Sequence, residues 1–309
     1  MSDQDDVRPF DNIINFRDVG RTINNFAGKK LLKEGVLFRS ARLDEASDAD
    51  ISRLTGDLHI STIIDLRSTT EHQMAIKKYK HAHGLPTTTP DAEPQEEEGY
   101  IHLPSLAGTE TTRYLISLTG KAFERALLWR LDWWNFTKVL AYMAAGYRQD
   151  AVRIVGENVM KPAGLTGLAM DTLEASTAEI KSVFDILSSS ESNTPQSGVL
   201  IHCTQGKDRT GLIILLSLLL TSAVDKDAIA RDYVLSEKEL ENEPAEEKEE
   251  RMREIRALGL DEEYARCPKD FTQRVTGFLG ERHGGVRGYL DYVGVEESTV
   301  ESVRRRFLA

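Results

Sequence analysis

Cysteine is scarce in this chain. Its 309 residues carry two, Cys203 and Cys267. So few thiols make no disulfide framework, and stability must come from a packed core. Long apolar runs are also lacking. Thr210–Leu220 (TGLIILLSLLL) stops short of the roughly 18–20 residues that cross a bilayer, so no integral membrane segment is expected. Basic residues hold no excess: 39 Lys and Arg stand against 50 Asp and Glu, a formal net charge of −11. A field of that sign repels nucleic acid and anionic lipid, so no nucleic-acid partner is expected. The opening MSDQDDVRPF is acidic and polar and does not read as a signal peptide. A cytoplasmic location is the expectation. Hydrophobic residues make up 40% of the chain, enough for a globular core.

What is present concentrates in ten residues, His202 to Gly211, reading HCTQGKDRTG. Val199 to His202 (VLIH) follows a polar stretch and reads as a buried strand. Thr210 to Leu220 reads as a buried helix. A strand, a tight loop and a helix in direct succession aim the loop's backbone N–H groups into one concavity. The helix N-terminus adds about half a positive charge. Gly206 and Gly211 allow close backbone approach or positive φ. The loop from Thr204 through Gln205, Gly206, Lys207 and Asp208 to Arg209 therefore reads as a phosphate cradle. Arg209 offers a planar fork for two phosphate oxygens.

Cys203 lies at the base of that cradle. A thiolate is the nucleophilic form of cysteine, and helix N-termini and nearby cations favour it. Against a cradled phosphate the expected product is a phosphocysteine, which water then hydrolyses. His202 is expected to orient the loop by hydrogen bonds, and Thr210 to donate to the Cys203 sulfur. A nucleotide P-loop is a poor alternative, because Gly206-Lys207 is followed by Asp208 where that motif needs Ser or Thr. The plain alternative, a buried structural cysteine, leaves the rest of the string unexplained.

The string resembles the signature of the cysteine-dependent protein tyrosine phosphatase superfamily. Its GKDR interior is similar to an atypical branch in bacteria and fungi, which includes secreted bacterial enzymes acting on phosphotyrosine and phosphoinositides. NFRDVG (Asn15–Gly20), LFRSA (Leu37–Ala41), IIDLRS (Ile63–Ser68), DYVLS (Asp232–Ser236) and the C-terminal GGVRGYLDYVGVEESTVESVRRRFLA resemble that branch as well. Residues from about 80 to 170 match it less clearly. The resemblance implies an α/β fold with a central, mostly parallel sheet flanked by helices. It also implies a phosphorylated protein or a phosphoinositide as substrate, with phosphotyrosine the leading reading. No cofactor and no metal are implied.

Ester cleavage needs a proton for the leaving oxygen. In the GKDR branch an aspartate stands inside the signature, as Asp208 does here. Asp65 is the second candidate, at the end of the strand-like Ile60–Leu66, with an ion pair to Arg39 or Arg67 as its structural alternative. Lys207 reads either as a contact to a further phosphate on a polyphosphorylated ring or as a solvated lysine. Two other readings stand beside the hydrolase. One is a phospho-binding protein without turnover. The other is sulfur-transfer or arsenate chemistry, with Cys267 as the second thiol.

Along the chain, strands alternating with helices suggest an α/β layered fold, read here as a single domain over 1–309. Residues 1–10 read as a frayed tail. Strands are expected at Val36–Phe38, Ile60–Leu66, Tyr100–Leu103 and Val199–His202, with a capping box at Ser47–Asp50. Residues 87–99 (TTTPDAEPQEEEG) read as an exposed acidic insertion, and His81 and His83 beside it as surface residues. A helical insertion is expected over 110–170, with its tryptophans packed as core or, as the alternative, forming a wall of the substrate mouth. A helix over Asp171–Leu187 is expected to be capped by Asp171 and boxed by Glu174. Residues 236–259 read as a charged helical segment carrying Glu247–Arg251 and Glu249–Arg253 pairs, ended by Gly259. The resemblance implies that it can form a lid; a solvated helix with no gating role is the alternative.

Overall fold

Val199, Leu200 and Ile201 are wholly buried, and their alternation gives the fold two layers of core. Side chains along a strand point to opposite faces in turn. Val199 and Ile201 join one cluster with Ile213, Phe184, Phe271 and Tyr289. Leu200 joins the other, with Phe38, Leu54, Ile60 and Ile63. A strand covered on both faces belongs at the middle of a mainly parallel sheet.

The computed structural model describes residues 10–82, 111–189, 197–241 and 243–309. Its strands are β1 (Arg17–Asp18), β2 (Leu37–Ser40), β3 (Ile60–Asp65), β4 (Thr112–Leu115) and β5 (Gly198–His202), in spatial order β1-β2-β5-β3-β4. β1 runs antiparallel to β2, and the other neighbours are parallel. Ser40 and Asp65 both stand opposite His202. The carboxyl ends of the three central strands therefore finish side by side, where α/β sheets place their functional loops. A Cβ at Gly198 would lie 2.8 Å from the Phe38 ring, so β5 starts where only glycine fits.

The helix Asp208–Thr221 follows β5, and eleven of its residues are buried. Fully burying each leucine or isoleucine contributes about 1.5–3 kcal/mol, which anchors the loop before it.

Three sequence expectations are corrected, and others fall outside the described residues. Phe10 is not part of a frayed tail: it is 3% exposed and packs edge-on to Phe16. The edge strand after β3 is Thr112–Leu115, short and half-buried, whereas Tyr100–Leu103 lies outside the described residues. The 87–99 insertion and His83 lie outside them too, and His81 is exposed. The Asp171 cap fails because the chain is already helical there. Helical chain, kinked at Gly164, runs over Lys161–Ala175 and another helix over Thr177–Ser189, and they break at Ser176, whose hydroxyl donates to the Leu118 carbonyl. Asp171 pairs instead with Arg130. The tryptophans do not pack as core: Trp129, Trp133 and Trp134 stand out from the helices Lys121–Trp129 and Trp133–Ala144, while Phe123, Leu127 and Val139 are the buried residues there. The Ser47–Asp50 capping box is present, with Asp50 N donating to Ser47 Oγ and Ser47 N to Asp50 Oδ2. Among the described residues no helix is long and apolar enough to cross a membrane.

Candidate active site

Between β5 and the Asp208–Thr221 helix the chain turns in five residues, Cys203 to Lys207. Gly206 has φ +65°, and a Cβ there would lie 2.0 Å from the Ser40 carbonyl oxygen. A Cβ at Gly211 would press on the Tyr233 ring at 2.8 Å. Both glycines are set by close packing as well as by any ligand.

The loop's carbonyls are all taken from the protein side. His202 Nδ1 lies 3.1 Å from the Cys203 carbonyl. Arg42 N donates to Thr204 O, and Asn15 Nδ2 to Gln205 O at 2.8 Å. Arg39 Nη2 donates to Gly206 O at 2.7 Å, and Gly211 N to Lys207 O. No N–H from Thr204 to Lys207 donates to a described residue. With the carbonyls turned into the protein, a row of backbone donors is left for an anion.

Behind the loop sits a buried charge network drawn from the short motifs. Asp232 accepts from Arg39 Nη1 at 2.5 Å and from Arg17 Nε at 2.7 Å. Ser236 Oγ accepts from Arg17 at 2.9 Å, and Arg17 also donates to Asn15. Burial lowers Arg17 to about 10, with the neighbouring Arg39 pushing the same way and Asp232 opposing, so it stays charged at neutral pH. Removing one partner of a network this buried typically costs about 3–5 kcal/mol. The sequence shows these residues as motif fragments; their common role at Gln205 and Gly206 emerges only when β1, β2 and the Lys226–Leu240 helix come together.

Cys203 is 3% exposed at the base of the loop. Arg209 meets Glu71 fork to fork, with Nη1 to Oε2 at 2.6 Å and Nη2 to Oε1 at 2.7 Å. Thr204 Oγ1 donates to the same carboxylate. Burial disfavours charge on Glu71, but Arg209, Thr204 and Ser68 N–H more than offset it, holding the carboxyl well below its usual range. The pairing likewise raises Arg209 despite its burial. Sequence reasoning missed Glu71. Its signal was the Ser68-x-x-Glu71 spacing, and the reciprocal bonds Ser68 N to Glu71 Oε2 and Glu71 N to Ser68 Oγ are present. Thr210 does not show the expected bond to sulfur: its Oγ1 is buried with no partner among the described residues.

Asp65 is corrected as a candidate acid. It is wholly buried beneath the loop, and Arg67 and Arg113 both donate to it. Its structural alternative with Arg67 holds, and Arg39 goes to Asp232 instead. Burial pushes its carboxyl up, but His202, Arg67 and Arg113 pull it well below the usual range. An anion held this way has no proton to give and no path to a leaving group. His202 Nε2 lies 3.4 Å from Asp65 Oδ2. Burial brings the imidazole down to about 4, so it is neutral at physiological pH.

The Lys207 side chain is not the solvated lysine of one reading, and its ammonium is turned away from the cradle. It is fully buried, and its Nζ donates to the carbonyls of Tyr264 at 3.0 Å and Arg266 at 2.7 Å. It ties the loop to the segment after the Ala245–Ala257 helix. Asp208 is different: its side chain is 36% exposed, accepts from the Tyr233 hydroxyl at 3.2 Å and lies 3.6 Å from Lys207 Nζ. Cys267 is buried with its Sγ 3.6 Å from the Tyr233 carbonyl. Burial pushes its thiol up to about 12, which unfits it for thiolate chemistry at neutral pH.

The charged 245–257 helix reaches the rim. Glu247 pairs with Arg42 at 2.6 Å rather than with Arg251, which turns to the buried Glu243. Glu249 lies 3.6 Å from Arg256 instead of pairing with Arg253. A cleft lined by Arg42, Glu45, Thr204, Pro244 and Glu247 runs between this helix and the loop.

The profile of the tyrosine phosphatase family matches residues 8–309. A tyrosine-protein phosphatase of Nostoc commune is 31% identical over 133 residues, 41% of this chain and 44% of that protein. The triple specificity protein phosphatase PtpB of Mycobacterium tuberculosis is 32% identical over 122 residues, 34% of this chain and 42% of that protein. The matched stretch spans less than half the length of each relative.

Proposed function

The chain belongs to the tyrosine phosphatase family, and from that premise we propose that it hydrolyses phosphomonoesters through a phosphocysteine at Cys203, acting on phosphotyrosine in proteins. Thr204 to Lys207 present their N–H groups to the three non-bridging oxygens, with Arg209 completing the cradle. The thiolate of Cys203 attacks phosphorus in line with the ester oxygen, the P–O bond breaks, and Asp208 gives the leaving oxygen its proton. Asp208, now a carboxylate, then takes a proton from the water that attacks the phosphocysteine, and inorganic phosphate and the free thiolate are restored.

The observation that carries this reading is the hydrogen-bond account of the loop: every carbonyl from Cys203 to Lys207 has a partner within the protein, and the N–H groups from Thr204 to Lys207 have none among the described residues. Asp208 is favoured as the acid because it is the partly exposed carboxylate of the loop, whereas Asp65 and Glu71 are locked to arginines. The 245–257 helix, linked to the rim by Glu247–Arg42, is proposed as a lid. The Lys207 ammonium, bound to two carbonyls, supports phosphotyrosine over a polyphosphorylated lipid as the lead. The test compares wild type and Cys203→Ser on an aryl phosphate, a phosphotyrosine peptide and phosphoinositides. Turnover of the peptide by wild type, abolished in the variant, is expected; equal rates in both proteins refute the thiolate, and turnover confined to phosphoinositides refutes the protein substrate.

A further inference from the structure

The helices Trp133–Ala144 and Arg148–Val155 form a hairpin that the catalytic reading leaves unused. Its surface is unusual for a chain of net charge −11. Trp129, Trp133 and Trp134 are 75%, 73% and 75% exposed, and Leu140, Met143 and Tyr147 are each at least half exposed. Between Asp132 and Arg148 the one charged residue is Lys138. At about 100° per residue, Trp133, Trp134, Tyr142 and Met143 point to four different quadrants of the first helix.

We propose that this hairpin is a self-association surface through which two copies of the chain pair as an isologous dimer. The inference does not rest on the phosphatase reading. At 150–250 Å² per aromatic side chain, the exposed tryptophans and tyrosines with Leu140 and Met143 offer about 800–900 Å². A partner that covers most of that patch reaches one side's share of a standard stable interface, about 800 Å². Tryptophan and tyrosine are also the residues that carry binding energy at such centres. The distribution favours protein over lipid. A helix lying in a membrane surface keeps a charged face toward water, and here apolar residues surround the helix. A helix apolar on all sides is covered from several directions, as two hairpins do when they pack into a four-helix bundle. Two chains that repel overall meet most easily where each presents little charge, here Lys138 alone between Asp132 and Arg148.

All three tryptophans of the chain lie in this patch, so intrinsic fluorescence reports on it directly. Sedimentation equilibrium and emission spectra of the full chain are recorded together over about 1–100 μM, the concentration range in which a modest interface assembles. The expected result is a monomer–dimer transition with a blue shift that tracks dimer mass. Added salt should strengthen it, because it screens the like charges. Trp133→Glu with Trp134→Glu should be monomeric throughout, with unchanged far-UV circular dichroism and unchanged aryl phosphate turnover. Should that double variant misfold, Met143→Glu supplies the same reading at one site. A wild type that stays monomeric overturns the proposal, as does a dimer that survives both substitutions. A monomer whose tryptophans blue-shift on neutral phosphatidylcholine vesicles overturns it in favour of a lipid surface.

Discussion

Glu71 and Arg209 lie fork to fork across the mouth of the loop, at 2.6 and 2.7 Å, although one comes from the Thr69–Ala82 helix and the other from the helix after β5. Both terminal nitrogens of Arg209 are engaged, and the same carboxylate accepts from Thr204 and caps its own helix at Ser68. The pair fixes the guanidinium before any substrate arrives. Glu71→Gln should therefore lower kcat/KM on aryl phosphates by on the order of 10–100-fold, since a misplaced catalytic group costs about that much. Steady-state kinetics decide it. A rise in activity would mean that the carboxylate competes with phosphate.

Asp208 should show its role through the leaving group. Asp208→Asn should slow a substrate with a poorly leaving alcohol by about 10²–10⁴-fold, the usual worth of a general acid. The effect on an activated nitrophenyl ester should be much smaller. Equal losses on both would make Asp208 a loop-holding residue, bound by Tyr233.

Acid should unfold the protein by way of His202. Its folded pKa is about 4, against 6.5 for the free side chain. Between those values the unfolded chain binds a proton that the folded chain refuses, so stability falls as pH drops through that window, by up to about 3 kcal/mol. Below it, Asp65 and Glu71, both depressed, add loss in the same direction as their native pairs are protonated. Urea midpoints measured at intervals between about pH 7.5 and 4.5 should fall in wild type and flatten in His202→Gln. A wild-type midpoint that does not change with pH contradicts a neutral buried imidazole.

Lys207→Met should act on stability and on all substrates alike. It strands the Tyr264 and Arg266 carbonyls, at about 1–3 kcal/mol for each unsatisfied group. Its turnover of a monophosphate and of a phosphoinositide carrying several phosphates should fall by the same factor. Loss confined to the polyphosphorylated substrate would return Lys207 to the cradle.

The signature loop was legible in the sequence because strand, glycines and apolar helix are local features, read within twenty residues of one another. The surroundings of Asp65 and Lys207 are not legible in the sequence, for one shared reason. Their fate depends on burial, and burial is decided by Arg113, Tyr264 and Arg266, which lie about fifty to sixty residues away in sequence. Glu71 escaped notice because its local role, capping a helix at Ser68, hid the long-range one. Asp171 misled in the opposite way: a sound local cap signal was overruled by the packing that breaks the helix at Ser176. Trp129, Trp133 and Trp134 were expected inside by hydrophobicity, which measures preference and not whether a partner is present.

The most direct test of the thiolate mechanism is a rapid acid quench during the first turnover of an aryl phosphate, followed by peptide mass spectrometry. The account predicts one phosphoryl group on the peptide containing Cys203, formed in a burst and absent from Cys203→Ser. Phosphate released without any phosphorylated Cys203 peptide, at a rate that Cys203→Ser preserves, would contradict it.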